Sequence, residues 1–237
     1  MSLRRQIGQW LVPPAFHPII RRLGWRKKDN NETVTTIQLR HICRYQFARK
    51  HIPGNTVLDA ACGAGYGSDL LEPVDKYVGV DYADYCIRNA QKNYGAEHRS
   101  FIVGDLYSLA NTFPRSSFDT IVSLETLEHL DNPKMVVSAF CDLLRPAGKL
   151  VMSIPLNHPD LVYHKRQYTH SDVRDLLSDF TSDSGPILEE YLQKHLQITP
   201  LTKELPPEAT GTWLGVLATR SPNNSQQADP GDALQRA

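Results

Sequence analysis

The sequence predicts an α/β fold, a mostly parallel sheet with helices on both faces. Two observations lead there. Strand-length apolar runs alternate with helical patterns between about residues 56 and 154, and the first run ends in a glycine loop, Thr56-Val-Leu-Asp-Ala-Ala-Cys-Gly-Ala-Gly-Tyr-Gly-Ser68. The chain's 237 residues suffice for one such domain plus attachments, read as a leader over 1–30, a domain over 31–220 and a polar tail over 221–237.

Each element follows from local signals. Thr33 to His51 carries Ile37, Ile42, Tyr45, Phe47 and Ala48 at positions that suit a helix, stopped by Pro53-Gly54. Val57 to Ala60 is the first strand and Gly67 to Leu71 a short helix. Tyr77 to Val80 is the second strand, ending at Asp81, and Ala83 to Tyr94 the next helix. Arg99 to Val103 is the third strand, closed by Gly104-Asp105, and Phe118 to Ser123 the fourth. Pro133 opens a helix to about Leu144, since its missing N–H costs nothing in a first turn. Pro146-Ala-Gly148 turns the chain into a fifth strand, Lys149 to Ile154. Asn157 to Tyr168, rich in His, Pro, Tyr and Lys, reads as an exposed active-site loop. Thr169 and Asp172 have capping-box spacing for a helix to about Phe180. Ile187 to Tyr191 and Trp213 to Thr219 read as late strands, with a proline-bearing loop from Thr199 to Gly211 between them.

Charge limits the function classes. Residues 1–28 hold seven Arg or Lys and no acid; because the whole chain balances 26 against 26, residues 29–237 carry −7. Nucleic acid is therefore not an expected partner of the domain. The basic, apolar leader is the one segment suited to a peripheral contact with an anionic membrane surface. The four cysteines (Cys43, Cys62, Cys86, Cys141) are scattered without a C-x-x-C, as in a reduced cytoplasmic protein. No apolar run approaches the ~20 residues that span a bilayer.

The glycine loop carries the strongest chemical signal. Asp59 sits at the carboxyl end of the first strand, and Gly63, Gly65 and Gly67 form a turn where backbone can approach a ligand closely, at a helix N-terminus. The spacing D-x-x-x-G-x-G-x-G differs from the dinucleotide pattern G-x-G-x-x-G. An acid ahead of the loop disfavours a pyrophosphate and suits a cationic ligand. None of the ten tyrosines has a lysine four positions on, so the Tyr-x-x-x-Lys pair of many dehydrogenases is absent too.

The glycine loop, Asp81, Gly104-Asp105, Phe118-Asp119 and Leu143-Leu-Arg-Pro-Ala-Gly-Lys149, in that order, resemble the class I S-adenosylmethionine-dependent methyltransferases over about residues 40–220. The resemblance implies a Rossmann-like seven-stranded sheet whose last strand is antiparallel, and S-adenosylmethionine as cofactor. It implies that Asp81 takes the ribose hydroxyls and that Asp105 accepts from the adenine amino group, with Tyr82 and Leu106 as ring contacts. The loop backbone at Ala61, Gly63 and Gly65 would hold the methionine moiety, Asp59 would lie close to its ammonium, and Leu124 would line the cofactor's side of the fourth strand's end. Arg44, in the helix ahead of the loop, is a candidate partner for the methionine carboxylate.

On the acceptor side stands Ser123-Leu-Glu-Thr-Leu-Glu-His-Leu130. If helical, it puts Glu125, Glu128 and His129 on one face. This E-x-x-E-H pattern resembles that of ubiquinone-pathway O-methyltransferases and small-RNA 2′-O-methyltransferases, where it binds metal with a downstream histidine, here His164. A Mg²⁺ or Mn²⁺ ion is the implied second cofactor. Without metal, His129 or His164, with Glu128 beside them, would serve as general base. His158, His170 and His195 read as surface residues. The run Arg44-Tyr-x-Phe-Ala48 with His164-x-x-x-Tyr-Thr-x-x-Asp-Val173 is similar to bacterial methyltransferases of surface polysaccharide and glycolipid assembly, which points to O-methylation of a sugar hydroxyl. A quinone or aromatic O-methyltransferase is the alternative. A cofactor-binding subunit without catalysis is the reading from another class. Oligomeric state is left open by the sequence.

Overall fold

The computed structural model describes residues 36–52, 56–158, 164–182, 185–186, 188–210 and 212–221. The basic leader, the polar tail beyond Ser221 and the Pro53-Gly54 helix stop lie outside the described residues.

Helix α1 (Thr36–Lys50) leads into strand β1 (Thr56–Ala60), the short helix α2 (Gly67–Leu70), β2 (Lys76–Asp81) and α3 (Asp84–Tyr94). Next come β3 (Arg99–Val103), α4 (Leu109–Thr112), β4 (Phe118–Leu124), α5 (Pro133–Leu143) and β5 (Leu144–Leu156). Helix α6 (His170–Leu176), a two-stranded ribbon of β6 (Thr181–Ser182) and β7 (Gly185–Pro186), then β8 (Leu188–Lys194), β9 (Gln197–Pro200) and β10 (Thr212–Thr219) complete the order. The α6 cap is the capping box that Thr169 and Asp172 foreshadow, with both reciprocal hydrogen bonds made.

The main sheet runs β3-β2-β1-β4-β5-β10-β8-β9. β1 to β5 pair in parallel, and β10 lies antiparallel between β5 and β8. The expected antiparallel last strand is present, but the sheet has eight strands where seven were expected. The extra one is β9, an edge strand that takes Thr199 and Pro200 out of the predicted loop and pairs with β8. Pro200 stands at the end of an edge strand, where a missing N–H disrupts no central ladder. β5 also extends past its predicted end: Pro155 still pairs with Trp213, while β4 stops at Leu124, opposite Ser153. The predicted Pro146-Ala-Gly148 turn appears as a register shift within β5, with Ala147 at positive φ.

Alternating side chains load both faces. Leu58, Val78, Val80 and Ile121 face one core with Val136, Val137 and Phe140 of α5. Val57, Tyr77, Val122 and Val151 face the other, with Tyr45 and Ala48 of α1 and Ile87 and Ala90 of α3. Both faces being covered explains why these strands read as nearly continuous apolar runs. It also leaves the carboxyl ends of β1, β2, β3 and β4 as the place where the chain emerges into loops carrying polar residues. Among the described residues no helix is long and apolar enough to cross a membrane.

Candidate active site

The first half of the site is the crevice above β1, β2 and β3. Gly63 has φ +54 and a Cβ there would meet nothing within 4 Å, so its backbone faces open space. Gly65 has φ +82 for a different reason: a Cβ would fall 2.5 Å from that of Ala90 and 2.8 Å from the Phe101 ring. One glycine leaves room for a ligand, and the other lets α3 and β3 pack tightly behind the loop. Ala61 adopts φ 66 and donates its N–H to the Val80 carbonyl at 2.8 Å, binding the turn to β2.

Asp81, at the end of β2, accepts from the Gly63 N–H and the Ala83 N–H, each at 2.9 Å. Its carboxylate is thereby held rigidly at the mouth of the glycine loop. Asp105 follows β3, is exposed, and accepts from the Tyr107 N–H at 3.0 Å. Tyr82 beside Asp81 is 84% exposed and Leu106 is buried. Asp59 has a different setting. It is buried and accepts the hydroxyls of Tyr77 at 2.7 Å and Tyr45 at 3.1 Å. Burial pushes its carboxyl up to about 7, against the pull of those two hydrogen bonds.

The second half lies beyond β4. The expected helix over Ser123–Leu130 does not form. β4 runs on to Leu124, Glu125 turns the chain at φ 53, and only Leu127–His129 form a single 3₁₀ turn. This turn separates the residues that a helix would have aligned. Glu125 points toward β5 and β10, accepting from the Ser153 hydroxyl at 2.8 Å and from the Trp213 indole N–H, with Arg44 Nη1 at 3.5 Å. Glu128 is instead buried beside His129 and His164, and one ligand atom from each of these three lies within 4.8 Å of the others. His164 reaches them because the Lys165 N–H donates to the Glu128 carbonyl at 2.9 Å, tying a loop 37 positions downstream to the turn. Neither Glu128 carboxylate oxygen has a hydrogen-bond partner, although both are buried. Burial, with the Glu125 charge adding to it, pushes this carboxyl up to about 9. A row of rings continues outward: His129 and His164 at 5.0 Å, His164 and His158 at 4.9 Å, His158 and Trp213 at 6.3 Å.

A glycine loop after β1 with an acid anchored at the end of β2 is one half of a recognisable domain, and sequence comparison supplies the rest. The family model described as "Methyltransferase domain" matches residues 58–152. The chain is 30% identical over 147 residues to a protein of Mycolicibacterium smegmatis named as a probable S-adenosylmethionine-dependent methyltransferase, covering 58% of this chain and 56% of that one. It is 31% identical over 112 residues to a ubiquinone biosynthesis O-methyltransferase of Xanthomonas campestris, covering 46% of each chain. The chain thus spans about half the length of the curated relatives it matches. A solved S-adenosylmethionine-dependent methyltransferase from Thermotoga maritima superposes with a TM-score of 0.61 at 15% identity, covering 86% of this chain and 99% of that one, which speaks to the fold alone. Residues 58–152 of this chain match a methyltransferase domain, and the chain is similar to S-adenosylmethionine-dependent methyltransferases.

S-adenosylmethionine is the cofactor of such a domain, and the residues present fit it. The open space at Gly63 and the fixed Asp81 carboxylate beside it form a cradle for a ligand with vicinal hydroxyls. The methyltransferase domain brings Ala61, Gly63, Gly65, Asp81, Tyr82, Asp105 and Leu106 to the carboxyl ends of β1, β2 and β3, with Leu124 next along at the end of β4. Two candidates depart from expectation. Arg44, expected to meet a methionine carboxylate, is buried and donates from Nε to Gln193 at 2.7 Å, with Glu125 as its ionic partner. Glu125, expected among the metal ligands, is spent on Ser153, Trp213 and Arg44. The reason is the same in both cases: the left-handed turn at Glu125 aims its carboxylate at α1 and β10 instead of along the loop. His170, expected at the surface, is buried; it contacts Glu190 at 2.8 Å and accepts from the Leu205 N–H at 3.0 Å. Trp213 and Tyr77 are the site residues that sequence reasoning passed over, since each is distant in sequence from every motif it serves.

Proposed function

We propose that this methyltransferase domain methylates a hydroxyl oxygen of a small acceptor bearing adjacent oxygens, with Glu128, His129 and His164 as the acceptor-side machinery. The observation that carries this reading is the convergence of these three side chains next to the end of β4, around a buried carboxyl with no hydrogen-bond partner of its own. A buried polar group left unsatisfied is costly, and a cation or an acceptor hydroxyl between it and the two imidazoles would satisfy it.

Bound S-adenosylmethionine supplies a methyl already activated by the sulfonium charge. The chain's task is then alignment of the acceptor oxygen and removal of its proton. Burial, which raises the Glu128 carboxyl, favours its protonated form, and in that form it would donate a hydrogen bond to the acceptor. His129, whose side chain is 43% exposed, or His164, half-buried, would take the acceptor proton. A divalent cation held by the same three residues would supply Lewis acidity toward neighbouring acceptor oxygens, favouring a catechol-like ring or a sugar diol.

The ubiquinone biosynthesis O-methyltransferases among the relatives favour the phenolic ring. The sugar reading rests on the pattern around Arg44–Ala48 and His164–Val173. The test is S-adenosylhomocysteine release with catechol, methyl glucoside and a primary amine, each with Mg²⁺, with Mn²⁺ and with EDTA. Turnover of catechol or the glucoside supports O-methylation and chooses between the two. Turnover of the amine alone would overturn it. Loss with EDTA assigns the cluster to metal; indifference to EDTA assigns it to proton transfer.

A further inference from the structure

Arg40 stands one helical turn before Arg44 on α1. Both guanidinium groups lie over the Trp213 ring, at 4.6 Å for Arg40 and 5.0 Å for Arg44. Their surroundings differ. Arg44 has Glu125 and Gln193 as partners, and Glu125 has no capacity to spare, because its two oxygens already serve Ser153, the Trp213 indole and Arg44. Arg40 is half-buried, its Nε is buried without a hydrogen-bond partner, and among the described residues no carboxylate pairs with it. Its main-chain carbonyl accepts from the Gln193 side chain at 3.3 Å, which helps fix the helix at that position.

A guanidinium laid on an indole keeps its donors in one plane, as a fork that matches two oxygens of a carboxylate or phosphate. A cation over the Trp213 ring, itself in the row of rings that includes His164, is therefore held ready and, among the described residues, without a carboxylate partner. Pairing with an oxyanion would balance the charge of this half-buried guanidinium.

We propose that Arg40, seated on Trp213, is a specificity-determining residue that binds an anionic group, carboxylate or phosphate, carried by the methyl acceptor. This rests on the reading of the Glu128, His129 and His164 cluster as the acceptor site, and it narrows the acceptor class from small hydroxylated molecules to hydroxylated anions.

The experiment compares matched acceptors: catechol with 3,4-dihydroxybenzoate, and methyl glucoside with glucose 6-phosphate. Wild type is set against Arg40→Gln and Arg40→Lys, with binding of the same four compounds followed by calorimetry in parallel. The wild type is expected to prefer the charged member of one pair, the pair identifying carboxylate or phosphate. Arg40→Gln is expected to raise KM for that member about 10- to 100-fold, the range for a charge-assisted hydrogen bond, and to collapse the charged-to-neutral preference. Arg40→Lys, which keeps charge but not the planar fork, should fall between them. Equal kcat/KM for charged and neutral members in wild type, or equal losses on both in Arg40→Gln, would overturn the proposal while leaving methyl transfer intact. Silence on every acceptor would count against the catalytic reading. The calorimetric arm then decides alone: Arg40-dependent binding of the anions sustains the proposal, and binding indifferent to Arg40→Gln sinks it.

Discussion

The Tyr77 hydroxyl on β2 donates to Asp59 on β1 at 2.7 Å, across the pair of strands that carries the glycine loop. Tyr45 of α1 donates to the same oxygen at 3.1 Å. The acid that opens the motif is therefore also the buried post to which the front helix is tied.

That post has a pH signature. Burial raises the Asp59 carboxyl from 3.8 to about 7, so the folded state prefers it protonated. Its contribution to stability is fully present below pH 3.8 and is lost as pH rises through about 7. Asp59→Asn keeps acceptors for the tyrosines without the titration. Melting temperatures of the cofactor-free protein should show the variant gaining on wild type as pH is raised from 4 to 8. A difference flat in pH would mean that Asp59 is ionised throughout.

Arg44 and Glu125 form a buried pair at 3.5 Å, with side chains 4% and 15% exposed. Burial is the dominant influence on both, lowering the Arg44 guanidinium and raising the Glu125 carboxyl, so mutual attraction does not offset desolvation. Glu125→Ala should destabilise by about 3–5 kcal/mol, because it strands the arginine. Combining Arg44→Met with Glu125→Leu should recover most of that loss in urea denaturation. If the double variant is no better than Glu125→Ala, the pair contributes net stability.

Gly65→Ala meets two obstacles, a positive φ and the neighbouring Ala90 and Phe101. A cost of about 1–3 kcal/mol in stability is expected from crowding, with further loss from strain, together with weaker S-adenosylmethionine binding. Denaturation midpoints and equilibrium dialysis check both. Gly63→Ala separates the effects: it has space for its Cβ, so it should weaken the cofactor more than the fold.

If Glu128, His129 and His164 hold a cation, Mn²⁺ should raise the melting temperature of wild type in a concentration-dependent way, by mass action on the folded state. His164→Ala and Glu128→Gln should each abolish that rise. An equal rise in all three proteins would place the ion elsewhere.

Much of the architecture was legible in the sequence because strands buried on both faces and turns built on glycine or proline leave local marks. β1 to β4, the acids that end β1 and β2, and the Thr169 capping box all came from neighbours within a few positions. The segment after β4 was misread for a physical reason. Ser123–Leu130 has helical spacing, but Glu125 enters the left-handed region and turns its carboxylate toward Ser153 and Trp213. Propensity along the chain lost there to contacts across it. β9 was missed for a similar reason, since an edge strand takes its register from a partner.

The sequence by itself determined a glycine loop and its acids in order, since backbone approach and carboxylate placement depend on residues adjacent along the chain, and their resemblance to a known family supplied the methyltransferase reading. Only the tertiary structure decided which partners the remaining polar groups take. His164 joins Glu128 through a backbone bond from Lys165, Glu125 turns away from them to pair with Arg44, and Trp213 arrives on β10 to carry Arg40. Those pairings join residues 36 to 173 positions apart, and side-chain geometry at that separation is set by the packing of the sheet rather than by local spacing.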